Sequence, residues 1–325
     1  MNQLEQLKGL TNELKEMALK TPEQLVDEWV EYIKGDMLDP LTTGFQSVDH
    51  LLRNRLRGKV MAKIGYGGTK KSLAALQGAI KNHNTKRRGI YSTMEMSSSN
   101  LLERIIDMSM HLEDKPYSSV SKEYERAIYG GMEQRITELL KSALGQIFGD
   151  RLKITQKSRM RAEDYHNIIT RYNQEHETPL DYLIVDGLSM MGGNGTETEM
   201  YTTNSGELKD LAKEHNIYID LICHCSKTSG GVAGKKHTRD NSRFIRGSEK
   251  ILDNVDCYMM FSLVQDENNL DEYRQDMGYM RFFDKRGSGQ TLSKIYKFHD
   301  HNLNMEETEL DPNSFEYDNK KGGLL

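Results

Sequence analysis

A glycine-rich stretch in the first quarter of the chain has the residue types of a phosphate-binding loop. Residues 65–72 read GYGGTKKS, follow the apolar run VMAKI and precede a helical pattern over residues 73–80. A glycine-rich turn between a strand and a helix directs backbone N–H groups and the positive end of the helix dipole at phosphate oxygens. In such a loop Lys71 would reach the β- and γ-phosphates and the Ser72 hydroxyl would hold Mg²⁺. The stretch therefore predicts a nucleoside triphosphate site.

The loop departs from the usual pattern at one position. Gly-x-x-x-x-Gly-Lys-Ser/Thr has a glycine before the lysine, whereas this chain has Lys70 there. A side chain at this point predicts a strained turn or a different local geometry. The alternative interpretation is a glycine-rich surface turn with two exposed lysines. If the loop does bind phosphate, its backbone ligands come from Gly65, Gly67, Gly68, Thr69 and Lys70.

Three reactive side chains stand at the ends of predicted strands. Asp186 ends the apolar run YLIVD, which is typical of a parallel strand buried on both faces. Glu95 follows the predicted strand 88–93, and His224 follows the one at 217–223. Ligands of open parallel sheets bind beyond the carboxyl ends of the strands. We therefore expect Asp186 to hold Mg²⁺, Glu95 to take a proton from an attacking water and His224 to contact the γ-phosphate.

Each of these three residues also has a purely structural interpretation. Asp186 could cap a turn with Gly187, Glu95 could support the helix N-terminus that follows it, and His224 could be a half-buried histidine.

Alternating strand and helix patterns predict the elements that would position these groups. Strands are expected at 60–64, 88–93, 152–155, 182–186, 217–223, 255–263, 277–283 and 292–298. Helices are expected at 73–80, 101–106, 121–147, 162–175 and 207–215. Such repeated βα units predict one doubly wound α/β domain with a mostly parallel sheet. Before it, a helix should begin at Pro22 and end at Gly35.

Composition excludes several classes of protein. The 325 residues carry a formal net charge of −5, so nucleic-acid binding would need a local basic patch. There is no apolar run of about 18 residues and no secretory signal, so no membrane contact and a cytoplasmic location are expected. The three cysteines, Cys223, Cys225 and Cys257, lack CxxC spacing and a fourth metal ligand, which favours small core residues in a reducing compartment.

Taken together, these motifs make the sequence resemble the RecA-type motor domain of the DnaB-type replicative helicases. The resemblance covers roughly residues 42–300. It is carried by TGFQSVD at 43–49, YSTMEMS at 91–97, LIVDGL at 183–188, FIRGSE at 244–249 and DKRG at 284–287. A RecA-like P-loop NTPase core, with ATP and Mg²⁺ as cofactors, is what this resemblance implies.

The resemblance also implies roles for individual residues. Glu95 would be the catalytic base, His224 would sense the γ-phosphate, and Arg286 would be an arginine finger that completes the site of the next subunit. Such a site implies a homo-oligomer, in this family a hexameric ring that translocates on single-stranded DNA and unwinds duplex. One departure is Asp284, which stands where the family has a lysine two residues before the finger.

A basic segment is the predicted nucleic-acid contact. Between residues 227 and 246, six positive residues are opposed by one aspartate, and three glycines predict a flexible loop. Such a loop could track a phosphate backbone without reading sequence. The alternative is a solvated surface loop. The residues expected to contact DNA are Lys235, Lys236, Arg239, Arg243, Arg246 and Gly247. A second loop, residues 192–204, has no positive charge and is assigned no contacts.

The expected domain organisation has three parts. Residues 1–41 form a helical segment that packs on its own domain or docks on a neighbouring subunit, residues 42–303 form the ATPase motor, and residues 304–325 form an acidic flexible tail. The resemblance implies a member without the N-terminal helicase domain, suggestive of a phage protein acting in host cytoplasm with a separate primase and helicase loader. Two other functions stay open: a RecA-like recombinase or strand-binding filament, and a degenerate ATPase that acts as a replication loader or scaffold.

Overall fold

The computed structural model describes residues 22–38, 40–53, 55–110, 119–225, 250–265, 273–287 and 289–312. The chain divides into two compact units, residues 1–40 and 41–325. In the first unit, helix α1 spans Pro22–Leu38. Pro22 opens the helix as predicted, but the predicted end at Gly35 is wrong, because the helix continues for three more residues. One glycine inside a helix costs about 1 kcal/mol relative to alanine, which is too little to end it.

The second unit is built on a nine-stranded sheet in the order β3-β2-β4-β5-β1-β6-β7-β8-β9. The strands from β3 to β6 in this order run parallel, and β7, β8 and β9 are added antiparallel. The predicted mostly parallel sheet is confirmed. The strands are β1 Val60–Gly65, β2 Gly89–Thr93, β3 Leu152–Thr155, β4 Tyr182–Asp186, β5 Tyr218–His224, β6 Cys257–Gln265, β7 Tyr273–Asp284, β8 Thr291–His299 and β9 Asn304–Glu307.

Helices cover both faces of this sheet. They are α2 Gln46–Leu52, α3 Lys71–Asn84, α4 Ser98–Ser109, α5 Val120–Ala127, α6 Glu133–Ile147, α7 Ala162–Glu175, α8 Glu197–Glu214 and α9 Lys250–Asn254. A π-helical turn, Ile128–Met132, joins α5 to α6. One core cluster joins Leu76 of α3 to Tyr91 of β2, and the other joins Ile169 of α7 to Leu208 of α8. Burial on both faces explains why the central strands consist mostly of apolar residues.

Two predicted boundaries are corrected by the structure. Helix α8 begins at Glu197, so most of the predicted loop 192–204 is helical. The reason is a capping box: the Thr196 side chain accepts from the Glu199 backbone N–H, and the Glu199 carboxylate accepts from the Thr196 N–H at 2.8 Å.

The start of the predicted flexible tail is also wrong, because residues 304–307 form strand β9 against β8. Met305 is buried, and Glu307 accepts a hydrogen bond from the Ser47 backbone N–H at 3.1 Å. These contacts hold the segment in the sheet. Within the part of the chain that the structure describes, no helix is both long and apolar enough to span a membrane.

Candidate nucleotide site

The glycine-rich loop joins the end of β1 to the start of α3. Gly65 is the last residue of β1, and a Cβ there would lie 2.5 Å from Thr69 Oγ1 and 2.6 Å from the Phe261 carbonyl oxygen. Only glycine therefore fits at the first position of the loop. Gly68 has a φ of +84°, and a Cβ there would meet no atom within 4 Å. It is the left-handed backbone that favours glycine here, and the loop stays open on this side.

Lys70 adopts the left-handed conformation that explains why a glycine is usual at this position. Its φ is 66° and its ψ is 17°. The side chain turns to the antiparallel part of the sheet, where its ammonium lies 4.1 Å from the centroid of the Phe298 ring. Burial lowers the pKa of Lys70. The departure from the usual pattern thus leaves the turn intact, at a backbone cost of roughly 1–2 kcal/mol that the cation–π contact partly offsets.

Lys71 is buried at the first turn of α3. It is 4% exposed, and its ammonium donates to the Tyr66 carbonyl oxygen at 2.7 Å, so the side chain folds back over the loop. Burial lowers the pKa of Lys71 to about 8, although Cys225, Asp186 and Glu95 oppose the shift. A cation desolvated in this way gains from a phosphate partner.

Ser72, in the first turn of α3, is hydrogen-bonded to Asp186 at the end of β4. The Ser72 hydroxyl donates to Asp186 Oδ1 at 3.1 Å, and the Tyr91 hydroxyl donates to Asp186 Oδ2 at 2.8 Å. Asp186 is fully buried, and burial raises the pKa of its carboxyl group, while the hydrogen bond from Tyr91 opposes that shift. A hydroxyl and a carboxylate are the oxygen donors that Mg²⁺ prefers, so the donor set fits this ion.

Glu95 and His224 form a second pair at the same edge of the sheet. His224 Nε2 lies 3.0 Å from Glu95 Oε2, and both side chains are partly exposed. Gly187 makes room for the pair: its φ is +119°, and a Cβ there would lie 3.2 Å from Glu95 Cγ. The carboxylate can therefore lie over the turn that follows Asp186. The structure brings together Lys71, Ser72, Glu95, Asp186 and His224.

Arg286 lies at the end of the parallel strands opposite to the phosphate loop. It follows β7, whose last residue, Asp284, pairs with Cys257 at the start of β6. Since β6 runs parallel to β1, this point is at the amino ends of the parallel strands. The guanidinium donates to the Asp253 carbonyl oxygen, and the neighbouring Lys285 donates to the Leu252 carbonyl at 2.7 Å. The structure does not bring Arg286 to the phosphate loop of its own chain.

The predicted DNA contacts Lys235, Lys236, Arg239, Arg243, Arg246 and Gly247 lie outside the described residues.

Two side chains at the site were missed by reasoning from the sequence. Tyr91 is fully buried, and besides Asp186 its hydroxyl contacts the Ser72 carbonyl at 3.4 Å. The one available signal was a phenol within a central strand, since a buried tyrosine hydroxyl needs a partner. Phe298, which holds Lys70, is 228 residues away along the chain and had no local signal.

A phosphate-type loop after a central parallel strand, with a carboxylate at the end of β4 on a mostly parallel sheet, defines a P-loop NTPase of RecA-like fold. The sequence profile described as "DnaB-like helicase C terminal domain" matches residues 37–306. The chain therefore belongs to the DnaB-like helicase family.

Solved structures agree on the fold. The "ATPase Domain of G40P" superposes with a TM-score of 0.67 at 16% identity, covering 88% of this chain and 98% of that one. The structure titled "The Structure Of A DnaB-Like Replicative Helicase And Its Interactions With Primase" has a TM-score of 0.66 at 15% identity, covering 93% of this chain and 71% of that one. A search of curated proteins found no match.

Family membership sets the general activity. The chain is an ATP-hydrolysing DNA helicase of the replicative class, the function predicted from its sequence. The family uses nucleotide and Mg²⁺, and its members act as oligomers on single-stranded DNA and interact with primase.

Proposed function

We propose that this chain assembles into a hexameric ring that hydrolyses ATP between neighbouring copies and translocates on single-stranded DNA, unwinding duplex as it moves. The observation that supports this most is the convergence of Lys71, Ser72, Glu95, Asp186 and His224 at the carboxyl ends of neighbouring strands, while Arg286 lies at the opposite edge.

Within one copy, the residues divide the work on ATP and Mg²⁺. The backbone of Gly65, Gly67, Gly68, Thr69 and Lys70 surrounds the phosphates, and Lys71 leaves the Tyr66 carbonyl to pair with the β- and γ-phosphates. Ser72 and Asp186 hold Mg²⁺, which neutralises charge on the phosphates. Glu95 accepts the proton of the attacking water, and His224, which contacts it, senses the γ-phosphate.

Arg286 completes the site of the next copy. An arginine at the amino ends of the strands reaches a phosphate loop at the carboxyl ends only if two copies stack head to tail. Repetition of that contact closes a ring when the rotation between copies closes, as in the hexamer proposed here. Arg286 must then leave the Asp253 carbonyl oxygen, which it contacts in the single chain.

The remaining assignments follow the same arrangement. Residues 1–41 dock on a neighbouring copy through α1, where Leu25, Val26 and Trp29 are more than half exposed. Residues 42–307, which include strand β9, are the motor, and an acidic tail follows. The basic segment from Lys235 to Gly247 faces the channel and tracks the DNA backbone. A separate primase and a helicase loader act with the ring in the cytoplasm.

The test is ATP hydrolysis with and without single-stranded DNA, for the wild type and for Glu95→Gln. We expect stimulation by DNA in the wild type and a loss of roughly 10²–10⁴-fold in the variant. Nucleotide binding should survive, because the amide keeps the size of the side chain. An unaffected rate in Glu95→Gln would refute the assigned base, and a wild type that binds nucleotide without hydrolysing it would refute the motor.

A further inference from the structure

Three potential metal ligands converge where the end of α8 meets α7. They are His166 on α7, Glu214 at the last position of α8, and His215, which caps that helix. One ligand atom from each lies within 4.8 Å of the other two. His215 Nε2 is 3.1 Å from His166 Nδ1, and His166 Nδ1 is 3.4 Å from Glu214 Oε2.

One hydrogen bond satisfies only one of the two contacts that His166 Nδ1 makes. His166 Nδ1 faces both the imidazole nitrogen of His215 and the carboxylate of Glu214, yet a ring nitrogen carries at most one proton and donates along one direction. The 3.4 Å separation from Glu214 is also longer than a good N–H···O bond.

A bound metal ion explains the spacing. Two ligand atoms that each lie about 2.0–2.1 Å from a tetrahedral Zn²⁺ ion are about 3.3 Å apart. The two separations at His166 Nδ1 bracket this value. The end of a helix, with its partial negative charge, adds attraction for a cation.

We propose that His166, Glu214 and His215 form a binding site for a divalent transition metal such as Zn²⁺. Two imidazoles and one carboxylate select such an ion over Mg²⁺, which prefers oxygen ligands. The fourth position is left to water, since His166 and Glu214 are 40% and 57% exposed.

This site is separate from the candidate nucleotide site. His215 precedes the first residue of β5, Tyr218, whereas His224 is the last residue of that strand. Seven strand residues span roughly 20 Å. The metal would link the C-terminal end of α8 to α7. Its role would be to hold two helices of one face together, without contact with the reacting phosphates.

The experiment is a metal titration of tag-free protein after chelator treatment. Saturating Mg²⁺ and a non-hydrolysable ATP analogue occupy the nucleotide site, so that it does not compete. Zn²⁺ binding is followed by calorimetry, and Co²⁺ serves as a spectroscopic probe through its visible absorption. We expect one saturable site per chain and a higher Tm with Zn²⁺. In His166→Ala and Glu214→Gln, affinity should fall by at least the roughly 10–100-fold that loss of an outer-shell partner costs.

The matched control is His176→Ala. His176 follows α7 and faces a carboxylate, Asp150, at 3.9 Å, but it belongs to no three-ligand cluster among the described residues. It should bind Zn²⁺ as the wild type does. Circular dichroism of the metal-free variants separates loss of ligand from loss of fold, and His166→Gln provides a second variant of larger side chain. Absence of saturable binding in the wild type, or equal affinity in the wild type and the folded cluster variants, would overturn the proposal.

Discussion

His224 Nε2 lies 3.0 Å from Glu95 Oε2, which joins the ends of β5 and β2 across the intervening strand β4. The contact links the proposed γ-phosphate sensor directly to the proposed base. A ligand that draws His224 towards its phosphate would therefore also reorient the Glu95 carboxylate. In the proposed mechanism, hydrolysis and detection of the γ-phosphate would then depend on the same pair of side chains.

Replacing His224 tests this coupling. His224→Ala removes a hydrogen bond to a charged group, worth about 1.5–3 kcal/mol. If that bond orients the base, kcat should fall by about 10–100-fold. His224→Gln keeps a donor and should retain most of the activity. Steady-state kinetics would separate kcat from KM. A fall in kcat that is equal in the two variants would show that a donor at this position does not orient Glu95.

Lys71 predicts a pH dependence of nucleotide binding. Burial lowers the pKa of Lys71 to about 8, so in the nucleotide-free protein its charge is lost as the pH rises through that value. Phosphates favour the charged form and raise the pKa in the complex. The association constant should therefore fall about tenfold between pH 7 and pH 9, with proton uptake on binding near pH 8.

Calorimetry of a non-hydrolysable analogue in buffers of different ionisation enthalpy measures both quantities. Lys71→Arg is the matched control, because arginine stays charged throughout this range and should lose the pH dependence even if it binds more weakly. A flat profile in the wild type would contradict the prediction.

Arg286 predicts complementation between inactive variants. Arg286→Ala should lower DNA-stimulated turnover by roughly 10³–10⁵-fold and keep nucleotide binding. Glu95→Gln is inactive for a different reason but retains its finger. In an equal mixture, about a quarter of the interfaces pair an intact base with an intact finger, if contacts are head to tail.

ATPase activity should therefore reappear on mixing, and each variant alone is the control. Failure to recover activity in rings shown to contain both variants would place Arg286 outside the neighbour's site.

Lys70 and Phe298 predict a measurable coupling. Lys70→Gly relieves a left-handed backbone that costs roughly 1–2 kcal/mol but loses a cation–π contact of about 0.5–1 kcal/mol. The free energy of unfolding should stay within about 1 kcal/mol of the wild type. Lys70→Ala loses the contact and keeps the strain, so it should be the less stable variant in urea. A double-mutant cycle with Phe298→Leu measures the coupling, and additivity would show that the contact contributes nothing.

A fully buried ion pair predicts a strong dependence on both partners. Lys63 of β1 and Asp220 of β5 form a salt bridge in the core, 0% and 2% exposed. Lys63→Met leaves a buried carboxylate without its cation and should cost about 3–5 kcal/mol. The double variant Lys63→Met/Asp220→Leu should recover most of that loss, because no charge remains to be buried. Urea unfolding of the wild type, Lys63→Met, Asp220→Leu and the double variant checks this, and a double variant that loses as much stability as the two single variants together would contradict it.

Much of the fold could be predicted because its signals are local. The helix 162–175 and the strand 182–186 have the predicted bounds, since periodicity and an apolar run need no distant partner. The early start of α8 was missed because the glycines at residues 192–195 predicted a loop. The capping box of Thr196 and Glu199 starts the helix immediately after them. Strand β9 was missed because its acidic residues are typical of a flexible tail, and the strand forms only through pairing with β8.

The sequence alone identified the family and located the glycine-rich loop, the carboxylates and the histidine near strand ends, because each depends on residue types within a few positions. The relative positions of these groups needed the tertiary structure. Sheet order makes β1, β5, β4 and β2 successive neighbours. The antiparallel direction of β7 puts Arg286 at the amino ends of the parallel strands. The partners Tyr91 of Asp186 and Phe298 of Lys70 follow from packing between distant segments. The physical reason is that periodicity and motif spacing are local properties. Strand order and side-chain contacts depend on how segments distant in the sequence pack together.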